Sequence, residues 1–291
     1  MALSRLSAAA SPEELAQQSL DACPAVERLL RSRPRGLFTD IDGTISPITS
    51  SPDVAELLPE AANLLREALT AFDVVGVVSG RAVRDAFRLV GVPGLIYVGN
   101  HGLEELERNG AVIEHCEGAG QALDAEHRAA VVESVLSRLN DALSPSLPGL
   151  VIERKNLGGS IHVRATADPD AAEEIVLARA RDLALPAGLR VTRGKRVVEV
   201  LPSTSIDKGT TLTRLVGRHA LAGAVYLGDD RTDIDAFRAL AALNQSERFC
   251  GVSIAVLHDE APEGLAEAAD IVLDAIEMVP FALRWLLLHA A

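Results

Sequence analysis

Apolar residues recur along this chain with two periods, and the two alternate. Helical spacing runs through residues 11–33, "AELLPEAANLLREALTAF" (55–72), "RAVRDAFRLVG" (81–91), "KGTTLTRLVGRHA" (208–220) and "TDIDAFRALAAL" (232–243). Between them lie short β-branched runs: "GLFTD" (36–40), "VVGVVSG" (74–80), "LIYVGN" (95–100), "AVYLGDD" (224–230), "VSIAVL" (252–257) and "DIVL" (270–273). Apolar strands separated by helices predict βαβ units and a parallel sheet buried on both faces. Ser11-Pro12-Glu13-Glu14 supplies an N-cap and first turn for the opening helix. The final "VPFALRWLLLHAA" is short and broken by Pro280 and Arg284, so it reads as a packed terminal helix and not a membrane span.

The middle of the chain has a different rhythm. A long helical pattern (122–143) leads to "LVIERKNLGGSIHVRA" (150–165), a second helix (169–184) and "LRVTRGKRVVEVLP" (189–202). Gly158-Gly159 between two alternating segments is a hairpin signal. The expected architecture is therefore α/β: a Rossmann-like doubly wound parallel sheet with an inserted α+β unit. The expected boundaries are an N-terminal helical extension (1–35), a core (36–111 and 196–291) and the insert (112–195).

Composition narrows the function. The 291 residues are 48% apolar and 24% charged, the profile of a globular protein with ample core. The net charge is −13. The closest thing to a basic tract, "RLLRSRPRG" (28–36), reads as a helix end and linker, so nucleic acid is not an expected partner. Cys23, Cys116 and Cys250 are scattered and lack metal-ligand spacing. With no signal-like apolar segment at the start, the cytoplasm is the expected location.

The chemistry sits where strands end. Ligands of open parallel sheets bind beyond the carboxyl ends of the strands. Asp40 and Asp42 follow the first core strand, and Ser79, Gly80 and Arg81 the second. Asn100, His101 and Gly102 follow the third, and Asp229 and Asp230 follow "AVYLG", with Asp233 and Asp235 close behind. Lys208 opens the helix before that last strand. A turn explains one Asp-Gly; polar groups after four strands are harder to assign to turns alone. Asp40, Asp42 and Asp229 suit a hard cation such as Mg²⁺, which takes a few carboxylates plus a substrate phosphate. Ser79 and Lys208 then suit the remaining phosphate oxygens. A carboxylate can act as nucleophile through an aspartyl-phosphate, with Asp42 as general acid and then base. Asp233 can also be read as a cap of the helix that follows, and Asp235 reads as a solvated first-turn residue.

"DIDGT", "VSGR", Lys208 and "GDDRTD" resemble, in order and spacing, the four motifs of the haloacid dehalogenase superfamily of phosphatases. The resemblance implies Asp40 as nucleophile and Asp42 as acid/base. It gives Ser79 and Lys208 the phosphate, and Asp229 the magnesium, with Asp230 and Asp233 supporting. The insert has to select the ester. A two-residue turn at Gly158-Gly159 would set Lys155 opposite His162 and Glu153 opposite Arg164, all on one face. That face suits either solvent or a polyhydroxyl ligand, and spacing alone favours solvent.

"GNHGLE", "ERKNLGGSIHVR", "RGKRVVEVLP" followed by "DKG", and "GDDRTDIDAF" together resemble the trehalose-6-phosphate phosphatase family over residues 36–275. This implies a mobile cap over the core and a phosphosugar between them. Glu153, Lys155, Arg164, Lys195 and Glu199 would contact the sugar, and Arg81, Asn100, His101 and Gly102 would line the core side. His162 stays open between contact and hairpin neighbour. Ile41 and Ile234 depart from the family pattern at positions that carry no reacting group. The implied activity is hydrolysis of trehalose 6-phosphate, the last step of trehalose biosynthesis. A related sugar phosphatase, for sucrose phosphate or a glucosylglycerol-type phosphate, is the nearest alternative. A non-catalytic phosphosugar sensor is the alternative from another class. The sequence names no protein partner.

Overall fold

The computed structural model of the chain describes residues 10–49, 54–107, 109–115, 125–155, 158–194, 196–203 and 205–290. Two helices, α1 (Pro12–Asp21) and α2 (Pro24–Arg31), lead into β1 (Arg35–Thr39), α3 (Ala61–Ala71), β2 (Val74–Val78), α4 (Val83–Val90) and β3 (Ile96–Gly99). Two short strands, β4 (Glu104–Leu106) and β5 (Val112–Glu114), follow. The insert comprises α5 (Ala125–Leu143), β6 (Val151–Lys155), β7 (Gly158–His162), α6 (Pro169–Ala184), β8 (Leu189–Arg193) and β9 (Val197–Pro202). The chain then returns through α7 (Lys208–Arg218), β10 (Gly223–Gly228), α8 (Arg231–Leu243), β11 (Cys250–Val256), α9 (Leu265–Ala268), β12 (Ile271–Leu273) and α10 (Val279–Ala290).

Eight strands form one sheet in the order β12-β11-β10-β1-β2-β3-β4-β5. All pairs from β12 to β3 are parallel, and β4 and β5 extend the edge antiparallel. β1 lies between β10 and β2, where the chain order reverses, and that is where a crevice opens at the strand ends. Parallel pairing brings the ends of β10, β1, β2 and β3 side by side. One face buries Leu37, Val75 and Val225 under residues of α1, α2, α3, α4 and α10; the other buries Phe38, Val78 and Tyr226 under α7, α8 and Leu265 of α9. The doubly wound α/β expectation is met.

Several local expectations change. The periodic stretch 11–33 is two helices, parted where Pro24 starts the second. Its Ala16, Leu20, Val26 and Leu29 belong to the core cluster of the large sheet, so this segment packs as part of that layer. The helix expected from residue 55 begins only at Ala61, after Pro59 and a left-handed Glu60 (φ 67°). Arg35, read as linker, opens β1 and is buried. Its guanidinium donates to Ala71 O (2.9 and 3.2 Å) and to Ala290 O, tying α3 and the C-terminal helix to the strand. No described helix is long and apolar enough to cross a membrane. Cys23 and Cys250 are free thiols; Cys116 lies outside the described residues.

The second sheet has four antiparallel strands in the order β6-β7-β9-β8. Because β5 pairs in the large sheet and β9 in the small one, the chain changes sheets after 114 and again after 202, later at both ends than boundaries at 112 and 196. One face of the small sheet buries Ile161, Val198 and Val200 against Val132, Val135, Leu136 and Leu139 of α5 and Val176 and Ala180 of α6. Those helical positions recur at three- and four-residue steps, as an amphipathic helix requires.

The hairpin register also differs from expectation. Gly158 and Gly159 lie inside β7, so Lys155 pairs with Gly158 and Glu153 with Ser160, rather than with His162 and Arg164. The glycines answer a packing need: a Cβ on Gly159 would sit 2.5 Å from Leu136 of α5, and one on Gly158 2.6 Å from Val200 O. The slip is an even number of residues, so the facing side chains are unchanged. Glu153, Ser160, Glu199 and Thr192 form one row across the four strands, on the face away from α5 and α6.

Candidate active site

Asp40 continues the β1 ladder, its N–H donating to Leu227 O at 2.9 Å. Its side chain is buried, with Oδ2 2.8 Å from Lys208 Nζ. Its Oδ1 is buried and has no hydrogen-bond partner among the described residues. Lys208 is the first residue of α7, aimed inward because Asp207 caps that helix (Oδ1 to Thr210 N–H, 2.7 Å). Its ammonium also lies 2.6 Å from Asp233 Oδ1. Burial alone would lower the lysine's pKa, but Asp233 and Asp40 outweigh it and hold the ammonium well above its ordinary value. Burial pushes the Asp40 carboxyl well above the ordinary carboxylate range; Lys208 opposes this, and Asp233 and Asp229 add to it.

Asp233 is more than a cap. Its Oδ1 accepts from Lys208 and from Tyr226 Oη (2.8 Å), and its Oδ2 from the N–H groups of Asp229 (3.0 Å) and Asp230 (2.9 Å). Four donors occupy both oxygens, which makes Asp233 a fixed anchor for Lys208 and for the turn carrying Asp229. Asp229 is fully buried, and its Oδ1 accepts from Thr44 Oγ1 at 2.8 Å. Gly43 sits against this carboxylate with φ 86°; a Cβ there would land on Asp229. Asp40, Asp229 and Asp233 each offer an oxygen within 4.8 Å of the others.

These residues fit a hard divalent cation. Three buried carboxylates converge, and Asp40 keeps an oxygen without a hydrogen-bond partner among the described residues. With Asp233 already engaged by four donors, Asp40 and Asp229 are the ligands the arrangement offers. Asp42, expected alongside them, stands apart. Its two oxygens take the Arg81 guanidinium fork, from Nε at 2.7 Å and Nη2 at 2.6 Å. Such bidentate pairing is strong and orienting.

The other predicted residues divide between the cleft and its support. Ser79 is buried at the end of β2 and lines the cleft, its Oγ accepting from Arg81 N–H at 3.2 Å. His101 has φ 57° and brings Nε2 within 2.7 Å of Glu199 Oε2 on the small sheet. Asn100 (φ 47°) and Gly102 (φ 117°) shape the same turn but do not line the cleft. Asn100 is completely buried, and a Cβ on Gly102 would strike Thr211.

From the small sheet, Lys155 Nζ donates to Gly80 O at 2.8 Å and lies 3.4 Å from Glu199 Oε1. Ser160 and Thr192 hydroxyls also donate to Glu199 (3.3 and 3.4 Å). Burial works against its charge, yet His101 and Lys155 hold the Glu199 carboxyl well below its ordinary range. Glu153 Oε2 lies 3.0 Å from His162 Nε2, and Arg164 donates to Glu260 of the core at 3.1 Å. Lys195 lies outside the described residues.

Between the sheets is an open cleft, with Asp40, Asp42, Ser79, Arg81 and Lys208 at its floor and Glu153, Lys155, His162, Arg164 and Glu199 on the opposite wall. Thr44, Ser160, Thr192, Tyr226 and His258 also belong to the constellation and were not singled out from sequence. Ser160 and Thr192 follow from the face once the register is known. Thr44 completes "DIDGT", and His258 follows a strand as the predicted residues do. Tyr226 lies within β10 and carries no such signal.

A parallel sheet with aspartates beyond its strands, beneath an inserted α+β cap, is the fold of the haloacid dehalogenase-like hydrolases. Within that class, the trehalose-phosphatase family model matches residues 38–266, and the chain belongs to that family. A trehalose-phosphate phosphatase from Mycobacterium avium is 37% identical over 236 residues, 79% of this chain and 56% of its own length. A protein of Mycobacterium tuberculosis named as an uncharacterized glycosyl hydrolase is 38% identical over 242 residues, 81% of this chain and 17% of its own length. The C-terminal domain of the trehalose-6-phosphate phosphatase of Candida albicans superposes with a TM-score of 0.72 at 20% identity, covering 91% of this chain and 96% of that one. The chain thus spans about half the length of the trehalose-phosphate phosphatase it matches, and less of the other relative.

Proposed function

We propose that this chain is a magnesium-dependent phosphatase that hydrolyses trehalose 6-phosphate to trehalose and phosphate through an aspartyl-phosphate on Asp40. The observation that carries the reading is the pairing of Asp40, Lys208 and Asp229 at the strand ends with the polar row Glu153, Ser160, Glu199 and Thr192 facing them across one cleft. The family match supports the substrate class.

Asp40 and Asp229 would hold the magnesium, which supplies positive charge to the phosphoryl oxygens when bound. Asp40 attacks phosphorus opposite the sugar oxygen, oriented by Lys208 on its Oδ2. Lys208 and the Ser79 hydroxyl take phosphoryl oxygens, offsetting the repulsion between two anions. Asp42 donates a proton to the departing sugar oxygen, then takes one from the water that cleaves the acyl phosphate, which releases phosphate and restores Asp40. Asp42 must be free of Arg81 to hold that proton. A phosphoryl dianion offers the guanidinium fork an alternative partner of matching geometry, so substrate entry itself would release Asp42. Glu153, Lys155, Arg164, Lys195 and Glu199 would read sugar hydroxyls, and the cap closing over the ester would exclude bulk water. Asp230 supports by capping α8, and Asp233 by holding Lys208.

Asp40→Asn tests the nucleophile. The expected outcome is loss of turnover with thermal stability retained or raised, since a buried charge is removed. Wild-type rates in that variant would rule the mechanism out.

A further inference from the structure

After β11 the chain turns through His258 before reaching α9. The His258 side chain is 18% exposed, and its Nε2 lies 3.3 Å from Asp229 Oδ2. Its other ring nitrogen, Nδ1, accepts the backbone N–H of Glu260 at 3.0 Å. A backbone N–H can only donate, so Nδ1 is the unprotonated nitrogen and the ring proton sits on Nε2, beside Asp229. The backbone of the 258–260 turn thus selects the tautomer. Thr44, from the turn after β1, donates to the other Asp229 oxygen. The two oxygens of one buried carboxylate are therefore approached from two different turns.

We infer that His258 is a positioning residue for Asp229: its Nε2–H, with Thr44 Oγ1–H, fixes the plane of the carboxylate that binds the divalent cation. This rests on the reading of Asp40 and Asp229 as the cation's ligands. A partner that orients a ligand is worth roughly 10–100-fold in metal affinity. The Glu260 carboxylate meanwhile takes Arg164 of the cap, so the turn that selects the tautomer is also a landing point for the cap. His258 shares with the predicted residues only its place after a strand; its spacing from the other motifs carries no signal.

The test is Mn²⁺ binding to this chain after EDTA treatment, followed by electron paramagnetic resonance of the free ion. His258→Ala should weaken Mn²⁺ binding about 10–100-fold. His258→Gln, whose amide nitrogen reaches about as far as Nε2, should recover most of that loss, and the shorter His258→Asn should not. Metal-free melting temperatures of the variants report folding separately, and if the alanine variant does not fold, the contrast of glutamine with asparagine decides. Wild-type affinity in both the alanine and asparagine variants overturns the assignment alone. Absence of Mn²⁺ binding in the wild type overturns the metal reading and this assignment with it.

Discussion

Lys208→Met removes one ammonium and keeps nearly all of the side-chain length. The lysine is 1% exposed, with carboxylate oxygens of Asp40 and Asp233 at 2.8 and 2.6 Å. Asp229 lies in the same cluster, within 4.8 Å. Two carboxylates at that separation repel by about 3.5 kcal/mol at an effective dielectric near 20. Breaking a buried ion pair from one side costs about 3–5 kcal/mol. At ~2–4 °C per kcal/mol for a chain of this size, the metal-free variant should melt roughly 6–20 °C below wild type. Magnesium should restore part of this. A site at 100 times its dissociation constant gains about 2.7 kcal/mol in wild type, and the variant, with the same carboxylates and one cation fewer, should gain more at equal concentration. Differential scanning calorimetry with and without Mg²⁺ measures both shifts. A metal-free loss under about 2 °C, or a magnesium shift no larger than wild type's, would refute the account of Lys208 as counter-charge to this cluster.

Two further predictions concern the edges of the site. Glu105 on β4 is paired with Arg214 and Arg218 of α7 at 2.8 and 2.6 Å. Burial would raise its pKa, but the two arginines hold it at about 2 against an ordinary 4.5. A folded-state value below the unfolded one means stability that is present above about pH 4.5 and lost as pH falls toward 2; the difference is worth at most about 3 kcal/mol. In urea melts, Glu105→Gln should therefore be destabilising at pH 7, with the gap from wild type shrinking to less than half by pH 3; a constant gap would contradict the pairing. In the cap, Lys155→Ala or Glu199→Ala should cut kcat/KM for trehalose 6-phosphate roughly 10–100-fold more than for a small aryl phosphate, the scale of a lost charged hydrogen bond. Equal losses on both substrates would remove the sugar-reading role of that wall.

The parts of the molecule legible in sequence are those where one local pattern has one meaning. Buried parallel strands are mostly apolar, so a polar residue directly beyond the apolar run is conspicuous, and Asp40, Ser79, Asn100 and Asp229 each directly follow a strand. Gly158-Gly159 shows the opposite case. A glycine pair signals a turn or a close approach, and only the position of Leu136 on α5 decides that it is the second. The wrong register still set Glu153 and Lys155 on the right face, because an even slip preserves alternation. Asp233 satisfies an N-terminal box with Asp230, and that local pattern masks its two side-chain donors from elsewhere, Lys208 and Tyr226. Nor is the Asp42–Arg81 pair visible: it depends on two strand ends meeting side by side, which spacing along the chain does not encode. The strands β4 and β5, three residues each and rich in glutamate, lack any periodic signal.

The most direct measurement is phosphate release from a panel of phosphosugars, trehalose 6-phosphate, sucrose phosphate, glucosylglycerol phosphate and a hexose phosphate, each with magnesium and with EDTA. The account predicts strong preference for trehalose 6-phosphate and no release once the metal is removed. Magnesium-dependent release that favours another sugar would contradict the reading of the cap, and no release from any ester would contradict catalysis itself and point to a phosphosugar sensor.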